Sequence, residues 1–413
     1  MTARTLVRTG EKVERGERFV ARRAAAWTAA AAGAPCAATP VLDLAADELD
    51  RRAAPHIVQA TLTALDQGAT HYTDRTGIAP LRAAVAARFA TEDGLAYDPN
   101  GEILITGGAH EGLFVATQML IEDGDEVIVQ DPAPAAYGEG VRLAGGVPVL
   151  APTSAADRYA LTAAAVAARI TPRTRALIFG SPAAPTGGVT PRAELLALAE
   201  LVRAYDLTVL LDETYRPFIF DDAEWVNFAT LPGMRGRTVL VGSFSTRYAM
   251  AGWRAGYLAG VAANLKPVTH LKQSLTICSP ALAQWAALAA LEGPQAEPAD
   301  AVRAVAARRA VAIPALAAMN LPAGGAQGTH YLFADVSSTG LTGRAFAEVA
   351  LRDAEVRVLP GDVYGANWAG YVRLSLVAPE TALREALGRL APVVQRLQRE
   401  AVATSGAAWK GGR

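Results

Sequence analysis

Several residue types that would indicate particular functions are scarce in this 413-residue chain. The only cysteines are Cys36 and Cys278, too few for a disulfide framework or, by themselves, for a four-ligand zinc site. The formal net charge is -1, which gives no electrostatic reason to expect nucleic acid or an acidic membrane as a partner. No apolar run approaches the length of a membrane span. These absences predict a cytoplasmic protein with two ordinary thiols and no metal site.

Lysine is also scarce, because only four of the 39 Lys and Arg residues are lysine. With the high alanine content, this looks like GC-rich coding, which can replace surface lysines with arginine without consequence. The segment from Arg22 to Cys36 superficially resembles a twin-arginine signal, but its apolar part is mostly alanine, a weak signal core and a good helix former. We therefore predict a helix there that ends at Gly33, followed by a strand over Val41–Leu44.

Through the middle of the chain, short apolar and β-branched segments alternate with helical segments rich in alanine and leucine, such as 191–203. The strand-like segments are 103–105, 126–129, 176–179, 207–211 and 238–241. This alternation predicts an α/β domain with a mainly parallel sheet. In such sheets, phosphate ligands bind at the carboxyl ends of the strands, near helix N-termini.

The pattern changes from about residue 305, where three strand-like segments and two further helices predict a compact α+β unit. The strands are expected at 329–335, 356–359 and 371–375, and the helices from about Thr342 and Glu380. We expect the N-terminal segment to join this unit. The predicted division is therefore an N-terminal segment 1–65 with the small domain, a large domain 66–305 and the C-terminal small domain 306–413.

The most specific motif of the chain lies between residues 243 and 257. It resembles the cofactor-lysine motif of the class I/II aminotransferases, the fold-type I enzymes that use pyridoxal phosphate (PLP), which reads Ser-x-Ser-Lys and then Gly-x-Arg-x-Gly. Five residues are in register with that motif: Ser243, Ser245, Gly252, Arg254 and Gly256. The resemblance runs from about 41 to 389. It implies PLP as cofactor and the fold-type I PLP-transferase fold, a seven-stranded, mainly parallel sheet flanked by helices plus a small α+β domain.

The lysine of that motif is replaced by Thr246. A threonine hydroxyl cannot form an imine, so PLP would bind non-covalently if it binds at all. The family's lysine also moves a proton during the reaction, as general base and acid. Thr246 performs that role poorly at neutral pH, and His110 and Tyr215 are the other candidates for it.

The resemblance assigns the phosphate of PLP to a loop that follows a strand and opens a helix, where backbone N–H groups can bind an anion. Gly108, Ala109 and His110 would supply these contacts, although a Gly-Gly pair by itself is at least as well explained as a structural turn. Arg254 would bind the phosphate bidentately, and Ser243 would add a hydroxyl.

The remaining positions follow from the same resemblance. Asp212 would pair with the pyridine N–H of PLP, and Tyr215 would bond its phenolic oxygen. Tyr72 matches a tyrosine that reaches the phosphate in the neighbouring subunit, which implies a homodimer with shared active sites. Arg373 matches the arginine that binds a substrate carboxylate, and the alternative is a surface arginine on an edge strand.

Three further positions depart from the family pattern. Ala184 stands where an asparagine bonds PLP, Pro134 where an aromatic residue stacks on its ring, and Asp47 where a glycine lines the substrate pocket. A carboxylate at Asp47 would oppose a substrate carboxylate or select a cationic group. With Thr246, these departures favour natural divergence over a single designed replacement.

Three functions follow from this pattern. The preferred one is an aminotransferase-family, PLP-type enzyme that acts on an amino acid or a similar carboxylate-bearing amine, with a lysine-less site and a non-standard reaction; a role in secondary metabolism would fit it. The second is a PLP-independent enzyme that reuses the fold. The third is a non-catalytic binding or partner subunit. The first is preferred because the phosphate and pyridine contacts are retained, but ordinary transamination is not expected to be efficient.

Overall fold

A computed structural model of the protein describes residues 40–410, with side chains up to residue 403. The predicted helix ending at Gly33 and the thiol of Cys36 lie outside the described residues. Within residues 40–410 no helix is long and apolar enough to cross a membrane.

The strands and helices alternate through most of this range. The strands are β1 Leu42–Asp43, β2 Ile103–Thr106, β3 Glu126–Asp131, β4 Val147–Pro152, β5 Thr174–Gly180, β6 Thr208–Asp212, β7 Thr238–Ser243, β8 Gly256–Ala259, β9 Tyr331–Asp335, β10 Val356–Arg357, β11 Leu359–Pro360 and β12 Tyr371–Ser375. The α-helices are α1 Pro55–Asp66, α2 Ala79–Asp93, α3 Ala109–Leu120, α4 Ala135–Leu143, α5 Ala163–Ala167, α6 Arg192–Ala204, α7 Ala262–Thr276, α8 Ala281–Glu292, α9 Ala296–Ala318, α10 Gly343–Ala354 and α11 Glu380–Lys410. Short 3₁₀ turns cover Phe228–Thr230, Arg235–Arg237, Ala251–Trp253, Ser337–Thr339, Gly361–Tyr364 and Ala366–Trp368.

The described chain forms two compact units. The larger consists of Asp47–Ala310 and Gly324–Leu332, and the smaller of residues 40–46, Val311–Ala323 and 333–410. The larger unit contains a seven-stranded sheet in the order β2-β8-β7-β6-β5-β3-β4, in which β8 alone runs antiparallel to its neighbours. The predicted fold class, α/β with a mainly parallel seven-stranded sheet, is confirmed.

Both faces of this sheet are buried, because successive residues of a strand point to opposite faces. In β6, Val209 and Leu211 join one apolar cluster, whereas Leu210 joins the other. The same alternation holds in β2, β3 and β7. Helices therefore cover the sheet on both sides, which is the reason that its strands read as continuous apolar runs in the sequence.

The smaller unit contains a three-stranded sheet in the order β11-β12-β9 and the parallel pair β1-β10. The strand predicted at 356–359 is in fact two short strands, of which β10 pairs with β1 and β11 pairs with β12. The helix predicted from Thr342 is α10, whose first turn is capped because Ala345 N–H donates to the Thr342 hydroxyl at 3.3 Å.

Candidate cofactor and active site

Most of the predicted cofactor residues of the larger unit follow the ends of strands along one edge of the sheet. β2 ends at Thr106, β6 at Asp212 and β7 at Ser243, and these strands run in the same direction. Register brings Thr106 and Ser243 to either side of Gly256, the first residue of the antiparallel β8. The sheet thus brings together three sequence segments that are more than thirty residues apart from one another.

The loop after β2 is shaped for close approach of the Arg254 guanidinium. Gly108 has a φ of 96°, and a Cβ atom built on it would lie 2.6 Å from Nη2 of Arg254. Arg254 donates from Nη1 to the carbonyl of Ala251 at 3.0 Å and from Nη2 to that of Gly107 at 3.3 Å. The guanidinium therefore lies against the backbone that opens α3, of which Ala109 is the first residue.

A buried lysine lies near this loop. Burial lowers the pKa of the Lys272 ammonium, whereas Glu111 opposes the shift from 3.9 Å. Lys272 also donates to the Thr276 hydroxyl at 3.2 Å, and Glu111 in turn accepts from the N–H of Gly107. Through Glu111, a buried positive charge is linked to the loop, although sequence analysis assigned this lysine no role.

Asp212 is held from two sides at the end of β6. Its Oδ2 accepts from the hydroxyl of Tyr137 at 2.8 Å, and its Oδ1 accepts from the N–H of Thr214 at 2.9 Å. Burial raises the pKa of the Tyr137 phenol well above its ordinary value, and Asp212 raises it further, so Tyr137 remains protonated and donates. The sequence offered no signal for Tyr137 as the partner of Asp212.

Thr246, predicted to stand at the family's lysine position, makes a backbone contact. The hydroxyl of Thr246 donates to the carbonyl of Thr214 at 3.1 Å, which joins the loop after β7 to the loop after β6. Ser245 N–H donates to the Ser243 hydroxyl at 3.0 Å and shapes the same loop.

Tyr215 takes part in a chain of hydrogen bonds within the larger unit. Its hydroxyl donates to that of Tyr331 at 3.1 Å, and Tyr331 donates to Oδ1 of Asp47 at 3.0 Å. The ring of His330 packs edge-on against both phenols, with centroid distances of 5.3 Å to Tyr215 and 4.3 Å to Tyr331. Sequence reasoning missed His330 and Tyr331, for which the strand pattern at 329–335 was the only signal.

The other predicted residues occupy different surroundings. Tyr72 is 80% exposed, and His110, the second residue of α3, is also exposed. Ala184 is half-buried. Pro134 immediately precedes α4, the helix that carries Tyr137.

Arg373 belongs to the smaller unit, on β12, the middle strand of its sheet. It is only 4% exposed and donates to the Tyr364 hydroxyl at 3.3 Å and to the carbonyl of Ala45. The alternative of a surface arginine on an edge strand is therefore wrong. Its binding of a substrate carboxylate stays a prediction.

The fold and the loops at the sheet edge together define the class of the protein. A seven-stranded sheet with one antiparallel strand, a glycine loop opening a helix and an aspartate at the end of a central strand match the fold-type I PLP enzymes. Among residues 40–410 there is no group of three or more His, Cys, Asp or Glu side chains that could hold a metal ion.

Comparison with known proteins gives the family. Residues 39–390 match Aminotransferase class I and II, and the chain belongs to this family. The aspartate aminotransferase of Pyrococcus abyssi is 34% identical over 86% of this chain and 92% of its own. The arginine–pyruvate transaminase of Pseudomonas aeruginosa is 38% identical over 81% of this chain and 85% of its own. The solved aromatic aminotransferase from Pyrococcus horikoshii OT3 has 34% identity and a TM-score of 0.84, covering 86% of this chain and 96% of that one.

The protein is therefore an aminotransferase-family enzyme, and the family depends on PLP. The residues at the sheet edge fit this cofactor. A guanidinium lies at a helix N-terminus, where the missing Cβ of Gly108 allows its approach, and a carboxylate is fixed at the end of β6. In addition, Oγ1 of Thr214 is a buried hydroxyl oxygen with no hydrogen-bond partner among the described residues.

Proposed function

We propose that this enzyme binds PLP or its amine form non-covalently and acts on an amino acid through a site without the family's lysine. The observation that carries the proposal is the contrast between the cofactor-binding residues and the predicted lysine position. Arg254 and Asp212 are each held in place by hydrogen bonds, whereas the lysine position is occupied by Thr246, whose hydroxyl donates to a backbone carbonyl. Binding groups are kept, and the nucleophile is absent.

The chain's own residues have distinct tasks in this proposal. Arg254, with Ser243 and the N-terminus of α3 at Gly108, Ala109 and His110, binds the phosphate. Asp212, fixed by Tyr137, binds the pyridine nitrogen. When bound, PLP supplies an electron sink for the bonds at the substrate's Cα. Without an amino group at Thr246, ordinary transamination is expected to be inefficient, so a different reaction at an amino acid is proposed.

The substrate is proposed to be an amino acid or a similar amine that carries a carboxylate. Relatives are named for aspartate, aromatic amino acids and arginine, which share only the amino acid backbone. Arg373 is proposed to bind that carboxylate because it is buried and positively charged on a central strand. Asp47 sets this site apart and favours substrates with a cationic group.

An absorbance titration tests this function. Purified protein is titrated with PLP and then with single amino acids, including arginine, lysine, aspartate and tyrosine. We expect PLP to bind and its spectrum to change only with some of the amino acids. An Arg254→Met variant serves as the control and should bind PLP at least tenfold more weakly, since a charge-assisted contact contributes roughly 1.5–3 kcal/mol. Unchanged PLP absorbance with wild-type protein would contradict the proposal.

A homodimer is part of the proposal. The loop containing Tyr72 borders a groove of about 480 Å³ on the larger unit, lined in part by Ala64, His71, Ala281 and Trp285. Exposed apolar side chains lie on α1, including Leu62 and Leu65, which are each about half exposed. An exposed apolar surface of this kind supports burial against a second copy of the chain.

Trp285→Asp should convert the dimer to a monomer, because it would bury a carboxylate in that interface. Sedimentation equilibrium of wild type and variant measures the change. The matched control is Val402→Asp, at a 74% exposed position on α11, which should leave the mass unchanged. A monomeric wild-type protein, or a dimeric Trp285→Asp variant, would count against the shared active site.

The domain division 1–65, 66–305 and 306–413 and the cytoplasmic location belong to the same proposal. The division is supported by the change of sequence pattern near residue 305. The compact units differ from it, because residues 47–65 and Gly324–Leu332 belong to the larger unit. The location is supported by the presence of only two cysteines in the chain.

A further inference from the structure

One hydrogen-bonded chain reaches from a predicted cofactor residue to the solvent-exposed surface of the larger unit. Tyr215 is half-buried, Tyr331 is 4% exposed and Asp47 is exposed. The oxygen–oxygen distances along the chain are 3.1 Å and 3.0 Å. A buried phenol thus connects a half-buried phenol with a carboxylate that water can reach.

The carboxylate of Asp47 fixes the direction of these two hydrogen bonds. An ionised carboxylate only accepts hydrogen bonds, so the proton of Tyr331 points to Asp47. Tyr331 then accepts from Tyr215, whose own proton points toward Tyr331. In a chain of this kind, each hydrogen bond polarises the next, which makes the Tyr215 oxygen a better acceptor.

We propose that Tyr215, Tyr331 and Asp47 form a proton relay that connects the active site with solvent. The relay rests on the proposed function, because it requires a bound amino acid. In the first transfer, an N–H bond of the substrate's ammonium group breaks, its electron pair stays on nitrogen, and the proton binds Oη of Tyr215. The original Tyr215 proton passes to Tyr331, and the Tyr331 proton passes to Oδ1 of Asp47. Asp47 then releases a proton to water and returns to a carboxylate.

This relay gives the site a means of proton exchange that Thr246 does not offer, since the hydroxyl of Thr246 donates to the Thr214 carbonyl. The result is a neutral amine on the substrate, the form that reacts as a nucleophile. In this transfer Tyr331 and Asp47 act through Tyr215, which takes the proton from the ammonium group of the substrate. The proposed selection of a cationic side chain by Asp47 concerns a different part of the substrate. Because Asp47 is exposed, it can release its proton to water. A buried acid at this position could not complete the relay.

The first part of the test uses the cofactor-free protein. Tyrosine is labelled with ¹³C at Cζ, and the signals of Tyr215 and Tyr331 are assigned by their Phe variants. Asp47→Asn should shift both signals, whereas Glu48→Gln, which removes the neighbouring exposed carboxylate, should shift neither. In a Tyr331→Phe background, Asp47→Asn should no longer affect Tyr215. Unshifted signals in Asp47→Asn would overturn the relay.

The second part uses PLP-loaded protein and an amino acid that changes its spectrum. Asp47→Asn should bind PLP as wild type does but respond to the amino acid at least tenfold more slowly, in line with the effect of losing a proton-transfer group. Asp47→Gly should be rescued by acetate in the buffer, and Asp47→Glu should retain most of the rate. A purely structural role for Asp47 would not produce rescue by acetate.

The outcomes separate the two proposals. If wild-type protein fails to bind PLP or to respond to any amino acid, the proposed function fails, and the relay fails with it for want of a substrate. If wild type responds and Asp47→Asn responds at the same rate, only the relay is overturned. Equal loss of rate in Asp47→Asn and Glu48→Gln would also overturn it, because the effect would then be one of surface charge.

Discussion

Thr246→Lys should convert a site that releases PLP on desalting into one that retains it covalently. The residue lies in the loop after β7, next to the loop that carries Asp212 and Tyr215, and its hydroxyl is 3.1 Å from the carbonyl of Thr214. A lysine there would present a primary amine to the aldehyde of PLP, and a threonine cannot. The measurement is the intact mass after incubation with PLP, reduction with borohydride and desalting.

Wild-type protein should carry no PLP adduct in that experiment, and Thr246→Met provides the control for side-chain length without an amine. Lys272 is the alternative site of modification, since burial lowers its pKa and the amine form reacts. Peptide mapping distinguishes the two positions. A reduced adduct on Lys272 of wild-type protein would show that the chain has moved its reactive lysine, and the non-covalent site would then be wrong.

The second large effect concerns stability. Arg216→Met should lower the free energy of unfolding by about 3–5 kcal/mol, because it leaves the buried carboxylate of Asp93 without its cation. Arg216 donates from its two terminal nitrogens to the carboxylate of Asp93 at 2.8 and 2.9 Å, and it lies 3.4 Å from Glu213. Its guanidinium is also 5.1 Å from the ring centroid of Trp225. Guanidinium chloride unfolding of the cofactor-free protein measures the change.

Two comparisons make this result specific to the buried pair. Arg142→Met removes an exposed pair with Glu139 on α4 and should change stability by less than about 0.5 kcal/mol. Adding Asp93→Leu to Arg216→Met should recover part of the loss, since the uncompensated charge is then removed as well. Equal destabilisation by Arg142→Met and Arg216→Met would contradict a special stabilising role of the buried Arg216–Asp93 pair.

The central sheet was predictable because most of its strands are buried on both faces and therefore read as apolar runs. The predicted segments match β2, β3, β5, β6 and β7. The sequence did not indicate β4, which contains Pro148 and Pro152 and lies at the edge of the sheet with much of its length exposed. It also did not indicate β8, whose first two residues belong to the glycine and arginine motif.

Site residues could be predicted only where the residues of a motif all lie in one segment of the sequence. Asp212 and Arg254 belong to local motifs with fixed spacing, so their positions could be read from the sequence. Tyr137 could not be assigned, because its partner Asp212 is 75 residues away and the contact exists only after β6 and α4 pack. Tyr331 and Asp47 are 284 residues apart in the sequence, and no pattern within either segment indicates their contact.

The backbone at Arg254 bears on the natural history of the enzyme. Its φ of 57° and ψ of 60° belong to the left-handed region, which disfavours arginine relative to glycine by about 1 kcal/mol. In a lineage that no longer bound an anion, drift would favour glycine or asparagine at this position, because either would relieve the backbone. The arginine at this position therefore supports the proposal that the loop binds an anion.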